Sequence, residues 1–180
     1  MTIILLPGES DYRSISIATR DNKAIDNQQD RDPVTEPYRV EAYRQRVKFE
    51  GMLTANQCLC FRAGPTPMYN CHGLTFASRR TKVPDPQEVV RILKADGYIK
   101  VAELDTLPGD VVLYKSDNGE IEHSGIVIGD SKAGYGVPII VSKWGQLNEA
   151  IHSADVGPYT GERSFYRIID ESPTYRPEHV

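Results

Sequence analysis

The order of helix and strand signals constrains the fold of this 180-residue chain more than any other feature. Helix-capping patterns occur in the first half, whereas turn residues divide the second half into short apolar runs of strand length. Helices that precede an antiparallel meander are typical of the α+β class, in which the helices pack on one sheet. The length fits a single main domain.

Two segments carry the capping pattern of a helix start. Asn70 can accept hydrogen bonds from the free N–H groups of a first turn, which predicts a helix over residues 71–79. Asp85 followed by Pro86 predicts the start of a second helix, and Gly97 predicts its end. The part of the domain that precedes the strands is therefore predicted to be helical.

The strand signals are turns that separate apolar runs. Leu-Pro-Gly-Asp at residues 107–110 is a turn, and Asp-Asn-Gly at residues 117–119 is typical of a hairpin, because these residue types tolerate positive φ. The predicted strands cover residues 58–61, 111–114, 120–128, 137–143 and 164–169. Strands joined by short turns predict an antiparallel meander.

The chain divides into an N-terminal extension over residues 1–37, a main domain over residues 38–172 and a C-terminal tail over residues 173–180. The extension is predicted to be partly loop or mobile, and its segment 26–33 has the composition of a solvated or disordered loop. Apolar residues at helical spacing predict a helix over residues 38–52. Two roles for the extension stay open: a segment that covers a cleft, or a mobile tail.

Composition excludes several classes of protein. The net charge of −4 argues against a nucleic-acid binder, which would show a basic face. No apolar run approaches the ~20 residues of a membrane span. The apolar run at residues 3–6 is too short for a signal peptide and no Lys or Arg precedes it, so we expect a cytoplasmic protein, or one exported by a signal-independent route. Three cysteines without a secretion signal do not indicate a disulfide framework.

Cys71 is the candidate nucleophile. A thiol at a helix N-terminus lies beside a partial positive charge, and a nearby imidazolium would add to it; both would lower the thiol pKa. Backbone N–H groups at the same helix end can stabilise an oxyanion. An inert buried cysteine is the alternative interpretation of Cys71 alone.

His123 is the candidate general base. Strand alternation places Ile121, His123, Gly125 and Val127 on one face, and Gly125 would leave room beside the ring for a substrate or a close helix. A helix packed across this sheet would bring a thiol within hydrogen-bond reach of the imidazole. Histidines on strands are more often structural, so the interpretation of His123 as a general base depends on Cys71 as its partner.

Three motifs occur in the order found in NlpC-type papain-like cysteine peptidases and amidases. Asn-Cys-His-Gly-Leu at residues 70–74 resembles the family's cysteine motif. Leu-Pro-Gly-Asp-Val-Val at residues 107–112 is similar to its turn before the central hairpin, and His-Ser-Gly-Ile-Val-Ile-Gly at residues 123–129 resembles its histidine strand. The resemblance covers roughly residues 56–170 and extends to the CHAP amidases. Relatives of lecithin retinol acyltransferase place the histidine before the cysteine, so chain order argues against them.

The resemblance implies a papain-like, NlpC-like α+β fold, with the cysteine-bearing helix packed on the meander sheet. It also implies a hydrolase without a cofactor, in which Cys71 attacks an amide carbonyl and His123 takes and returns the proton. In the family a third residue, on the strand after the histidine strand, orients the imidazole. Ser142 is the best positional match, and Gln146, Asn148 and His152 are the alternatives. Asn70 and His72 depart from the family's usual acid and serine.

Three residues are candidates for substrate binding: Tyr69, Asn70 and Trp144. Trp144 would stack on a sugar or peptide, and ordinary core packing is the alternative. His72 would either line the cleft or pack, and His152 is more typical of the surface. A zinc site formed by Cys58, Cys60, Cys71 and His72 has unusual spacing and would consume the nucleophile, so no metal is expected.

The resemblance implies a peptide or peptidoglycan stem peptide as substrate, and for a toxin-type member an immunity or inhibitor protein as partner. Two other functions stay open. One is an intracellular or effector-type deamidase, acyltransferase or protease, and the other is a catalytically inactive binding module. The bond cleaved and the oligomeric state do not follow from the sequence.

Overall fold

The computed structural model describes residues 14–30, 40, 43, 44, 47, 51, 60–129, 136–145, 147–157, 159 and 161–169. Its helices are α1 (Cys71–Phe76) and α2 (Pro86–Ala95), with a 3-10 turn at Glu103–Asp105. Its strands are β1 (Cys60–Ala63), β2 (Tyr98–Val101), β3 (Val111–Lys115), β4 (Ile121–Gly129), β5 (Ile139–Lys143), β6 (Glu149–Ser153) and β7 (Glu162–Ile168).

The helix predicted over residues 38–52 falls largely outside the described residues. Val40, Tyr43, Arg44, Val47 and Gly51 are helical, in agreement with the prediction. Val40, Tyr43 and Val47 have exposed side chains, so the described part of this helix does not bury its apolar stripe.

The seven strands form one antiparallel sheet in the order β1-β6-β5-β4-β3-β7-β2. The predicted α+β class is confirmed, and strands β3 to β6 form an antiparallel meander of which β3, β4 and β5 were predicted. Strand β7 returns to lie beside β3. Strands β2 and β6 were not predicted, because β2 follows α2 almost directly and β6 carries the polar sequence Glu-Ala-Ile-His-Ser.

Both helices begin where the capping patterns predict. The Asn70 side chain accepts a hydrogen bond from the Gly73 N–H at 2.8 Å, and the Asp85 side chain accepts one from the Gln87 N–H at 2.8 Å. Helix α1 ends at Phe76, three residues before the predicted end. Gly97, just after α2, has φ of 75° and stops the helix as expected.

A β-bulge changes which side chains of β4 share a face. His123 pairs with Tyr114, but the next pair is Ile121 with Lys115, so Glu122 is an extra residue. The bulge moves Ile121 to the helix-covered face, where it packs with Val89 and Leu113. The predicted grouping of Ile121 with His123 is therefore wrong.

The two faces of the sheet have separate cores. Helix α1 packs against β4 and β5, with Leu74 in contact with Val141, and Val89 of α2 packs on β3. The opposite face holds Val112, Tyr114, Val127, Ile140 and Phe165. His123 lies on this second face, directly across from Tyr114.

Residues 14–30 of the N-terminal extension pack on the segment that follows α1. Gln28 and Lys82 exchange two backbone hydrogen bonds, and Asn27 Oδ1 accepts one from the Thr81 hydroxyl at 3.0 Å. Ile25 is buried against Val83. This part of the extension is therefore ordered against the domain.

Candidate active site

Cys71 is the first residue of α1 and its side chain is buried. Burial raises the thiol pKa to about 11, although backbone N–H groups of Ser124, His72 and Cys71 itself favour the thiolate. The expectation of a lowered pKa is wrong, because desolvation exceeds the effect of the short helix. The pairing of β4 with β5 stops at Gly125, so the Ser124 N–H lies just beyond it and is free to face the sulfur.

His123 is 1% exposed, and neither of its ring nitrogens has a hydrogen-bond partner among the residues that the structure describes. Burial, together with the charges of His72 and His152, holds the imidazole pKa well below its usual value. The space expected beside Gly125 is filled, since an added Cβ there would lie 3.0 Å from the Val141 carbonyl oxygen. The imidazole is therefore neutral, and the described part of the chain supplies none of the polar partners that buried histidines usually have.

Cys71 and His123 are not hydrogen-bonded to each other, although Tyr159 stacks on His123 and its pKa responds to a charge on Cys71. The Tyr159 ring stacks on the His123 ring with centroids 3.9 Å apart and an interplanar angle of 9°. A charge on Cys71 would raise the pKa of Tyr159, which burial mainly sets at about 12. Tyr159 thus contacts the imidazole directly and lies near enough to the thiol to respond to its charge.

We expect Cys71 to resist alkylation in the native protein. With its pKa near 11, the thiolate fraction at pH 7 is roughly two orders of magnitude below that of an ordinary cysteine. Iodoacetamide labelling at pH 7, read by mass spectrometry, should be slower at Cys71 by about that factor in the native chain than in urea. Exposed Cys60 is the internal control. Equal rates at Cys71 in both conditions would contradict the burial argument.

Ser142 is not hydrogen-bonded to His123 but belongs to a buried hydrogen-bond chain on the same face. The Trp144 indole N–H donates to Ser142 Oγ at 2.9 Å, and Ser142 Oγ lies 2.8 Å from His152 Nε2. His152 Nδ1 is 2.9 Å from the Ser153 carbonyl, which can only accept, so Nδ1 carries the proton and the Ser142 hydroxyl donates to Nε2. His152 is buried rather than on the surface.

Of the remaining alternatives for a third residue, neither His152 nor Asn148 is hydrogen-bonded to His123. Asn148 is buried, and within the described ranges its side-chain oxygen has no hydrogen-bond partner. Gln146 lies outside the described residues. No described residue therefore orients the His123 ring by a hydrogen bond.

The residues next to Cys71 have structural contacts. Asn70 caps α1 and also exchanges hydrogen bonds with the backbone of Val83. His72 is buried, with Nδ1 2.9 Å from Ser124 Oγ, and burial lowers its pKa to about 4. Of the three residues predicted to bind substrate, Tyr69 and Trp144 are buried and Asn70 is partly buried.

An ionic cluster that the sequence did not predict lies beside Tyr69. The buried Glu149 carboxylate accepts hydrogen bonds from Arg79 Nε at 2.5 Å and Nη2 at 3.1 Å, and from the Tyr69 hydroxyl at 2.6 Å. Buried Lys143 lies 5.0 Å from the centre of the Tyr69 ring and helps to favour the Cys71 thiolate. Residues so far apart in sequence give no local signal of this pairing.

We expect Arg79→Ala to destabilise the protein by about 3 kcal/mol, because it leaves the Glu149 carboxylate buried without its main cation. Arg163→Ala is a matched control, since it removes a two-bond pair with Glu103 in which both side chains are about one-third exposed. That control should cost less than about 1 kcal/mol. Urea unfolding measures both, and equal losses would contradict the buried character of the Glu149 pair.

A cleft of about 600 Å³ lies elsewhere, between the N-terminal end of α2 and the β3–β4 hairpin. It is lined by Pro86, Val90, Lys115, Glu120 and Tyr166, among others, and neither Cys71 nor His123 reaches it. In the ranges that the structure describes, no three His, Cys, Asp or Glu side chains converge as metal ligands would. The cysteine at position 58, part of the zinc alternative, is outside those ranges.

Comparison with protein-family models, with curated proteins and with solved structures finds no match to this chain. A membrane-crossing helix needs about 20 apolar residues, and no helix in the described part of the chain has that length and character.

Proposed function

We propose that this protein is a cysteine hydrolase that cleaves an amide bond, with Cys71 as nucleophile and His123 as general base. The observation that carries the proposal is the buried imidazole of His123, unpartnered among the described residues, next in the chain to Ser124, whose backbone N–H favours the Cys71 thiolate. Leaving a buried polar group without a partner costs about 1–3 kcal/mol. Such unsatisfied groups concentrate at sites where a substrate or a reacting group completes the hydrogen bonding.

The charge states support a mechanism that starts from a neutral pair. Since the Cys71 pKa is raised and the His123 pKa is lowered, a preformed thiolate–imidazolium pair is disfavoured at neutral pH. The thiol proton would instead pass to His123 as the sulfur attacks the carbonyl carbon. The imidazolium would then protonate the leaving amine, and water would hydrolyse the thioester.

The backbone around Cys71 supports the oxyanion step. The N–H groups of Ser124 and His72 point at the sulfur, so they are also close to a carbonyl that the sulfur attacks. Donors fixed by the backbone need no rearrangement when negative charge develops on the carbonyl oxygen. The resemblance of residues 70–74, 107–112 and 123–129 to NlpC-type motifs favours a peptidoglycan peptide as substrate.

The first test uses p-nitrophenyl acetate as an acyl donor. We expect acetylation of Cys71, located by peptide mass spectrometry, that is lost in His123→Ala while acetylation of exposed Cys60 is unchanged. Digestion of purified peptidoglycan, with Cys71→Ser as control, then tests the substrate class. Acetylation of Cys71 without peptide release would point to the deamidase, acyltransferase or protease alternative.

A catalytically inactive binding module is the second candidate, favoured by the raised thiol pKa and by the absence of a Cys71–His123 hydrogen bond. Failure of p-nitrophenyl acetate to acylate Cys71 in a His123-dependent manner would favour this module over the hydrolase. In that case the orphaned imidazole would be a relic of an active ancestor.

A further inference from the structure

His123 is held by aromatic rings. The Tyr159 ring lies parallel to the imidazole at 3.9 Å, and the Tyr114 ring is tilted by 46° at 5.6 Å. Tyr114 itself is fixed, because its hydroxyl donates to the Ala154 carbonyl at 2.8 Å. The edges of the imidazole, which carry both nitrogens, take part in no hydrogen bond with a described residue.

We propose that Tyr159 is a positioning residue that replaces the hydrogen-bonding third residue of a triad by stacking on the His123 ring. The inference rests on the proposed hydrolase function and names a residue that the sequence did not single out. A parallel stack fixes the plane of an imidazole and shields its face from water. Stacking does not determine which ring nitrogen carries the proton, whereas a hydrogen-bond acceptor would determine it.

The segment that carries Tyr159 is supported by the buried Ser142–His152–Trp144 chain. Gly157 has φ of 149°, and a Cβ there would lie 3.4 Å from the Trp144 ring and 3.8 Å from His152 Cε1. The backbone of residue 157 thus rests on both rings, two residues before Tyr159. Ser142 therefore acts on the site indirectly, by holding the rings that support this segment.

Several titratable groups face His123 from the surrounding elements. They are His72 on α1, His152 on β6, Tyr114 on β3 and Tyr159 itself. The two histidines disfavour a charge on His123. Tyr159 is the group whose ring covers the face of the imidazole, so its removal should admit water to His123 without removing a hydrogen bond from it.

The test compares Tyr159→Leu with Tyr159→Phe, which keeps the stacked ring and removes only the hydroxyl. Acetylation of Cys71 by p-nitrophenyl acetate is measured across pH, with Cys60 in the same chain as internal control. We expect Tyr159→Phe to retain the wild-type rate and pH profile, and Tyr159→Leu to lose about tenfold or more at Cys71 through misorientation of the base. Histidine NMR titration should show the His123 pKa rising in Tyr159→Leu but not in Tyr159→Phe.

Two different results would overturn the inference. If Tyr159→Leu keeps the wild-type Cys71 profile while His123→Ala abolishes it, the hydrolase stands and the stacking role fails. If the NMR titration of His123 is the same in all three proteins, the stack does not shield the ring. If acetylation of Cys71 in the wild-type protein does not depend on His123, the proposed function itself fails. That outcome is read from the wild type and His123→Ala alone, so it is distinct from a failure of the stacking role.

Discussion

Gly73→Ala should unfold the Cys71 site and lower the free energy of unfolding by about 3 kcal/mol or more. An added Cβ would lie 1.8 Å from the Thr81 carbonyl oxygen and 3.2 Å from Tyr69 Cβ. Thr81 cannot easily retreat, because it is fully buried and bonded to Asn27, and the next residue bridges to Gln28. The clash exceeds the ~1 kcal/mol that alanine gains over glycine in a helix.

Gly64→Ala is the matched control for this prediction. No atom of the described residues lies within 4 Å of a Cβ built at Gly64, so the substitution should change stability by less than about 0.5 kcal/mol. Thermal unfolding should separate the two variants by about 10 °C in Tm for a chain of this length. A Gly73→Ala protein with the same Tm as the wild type would show that α1 can shift without loss of stability.

Lowering the pH should begin to destabilise the protein at pH values well above those at which carboxylates titrate. His72, His123 and His152 are buried and their pKa values are lowered, that of His72 to about 4, with burial as the main cause for each. The unfolded chain, with imidazole pKa near 6.5, then binds more protons than the folded one below that pH. Stability is therefore fully present above about pH 6.5 and is lost as pH falls, for His72 down to about pH 4.

Each neutral buried histidine should contribute about 1.4 kcal/mol of loss per pH unit in this window. Urea unfolding at pH 7.5, 6, 5.5 and 5 measures the slope. Glu149, whose pKa is lowered from 4.5, adds its own loss only at lower pH. A His72→Gln variant should lower the slope of stability against pH by about 1.4 kcal/mol per pH unit, because it removes one titrating ring. Stability that is constant from pH 7 to pH 5 would mean that these rings are hydrated or already charged.

Local signals predicted the elements of the fold well. Asn70 and Asp85 cap their helices, and the hairpin at residues 117–119 forms with Gly119 at φ of 83°. These features depend on a few adjacent residues, so a sequence states them directly. The turn at residues 107–110 is likewise formed, with the Asp110 N–H donating to the Leu107 carbonyl at 3.0 Å.

The geometry and charge states of the site could not be predicted, because they depend on contacts between residues far apart in the sequence. The bulge at Glu122 follows from how β3 and β4 pair, and it is invisible in β4 alone. The pKa of Cys71 was predicted in the wrong direction, because a capping pattern reveals a helix end but not the burial of the thiol. Tyr159 was missed because its partner, His123, is brought to it only by the sheet.

The strand order also dictates when the site can form during folding. Strands β3 to β6 pair with their neighbours in sequence, so they can assemble early through short loops. The outer pairs join distant parts of the chain, Cys60 with Ile151 and Tyr98 with Ile168, and should close later. Tyr159 lies on the segment that leads into β7. Tyr159 would therefore cover the imidazole of His123 only in the last steps of folding, after strands β3 to β6 have already paired.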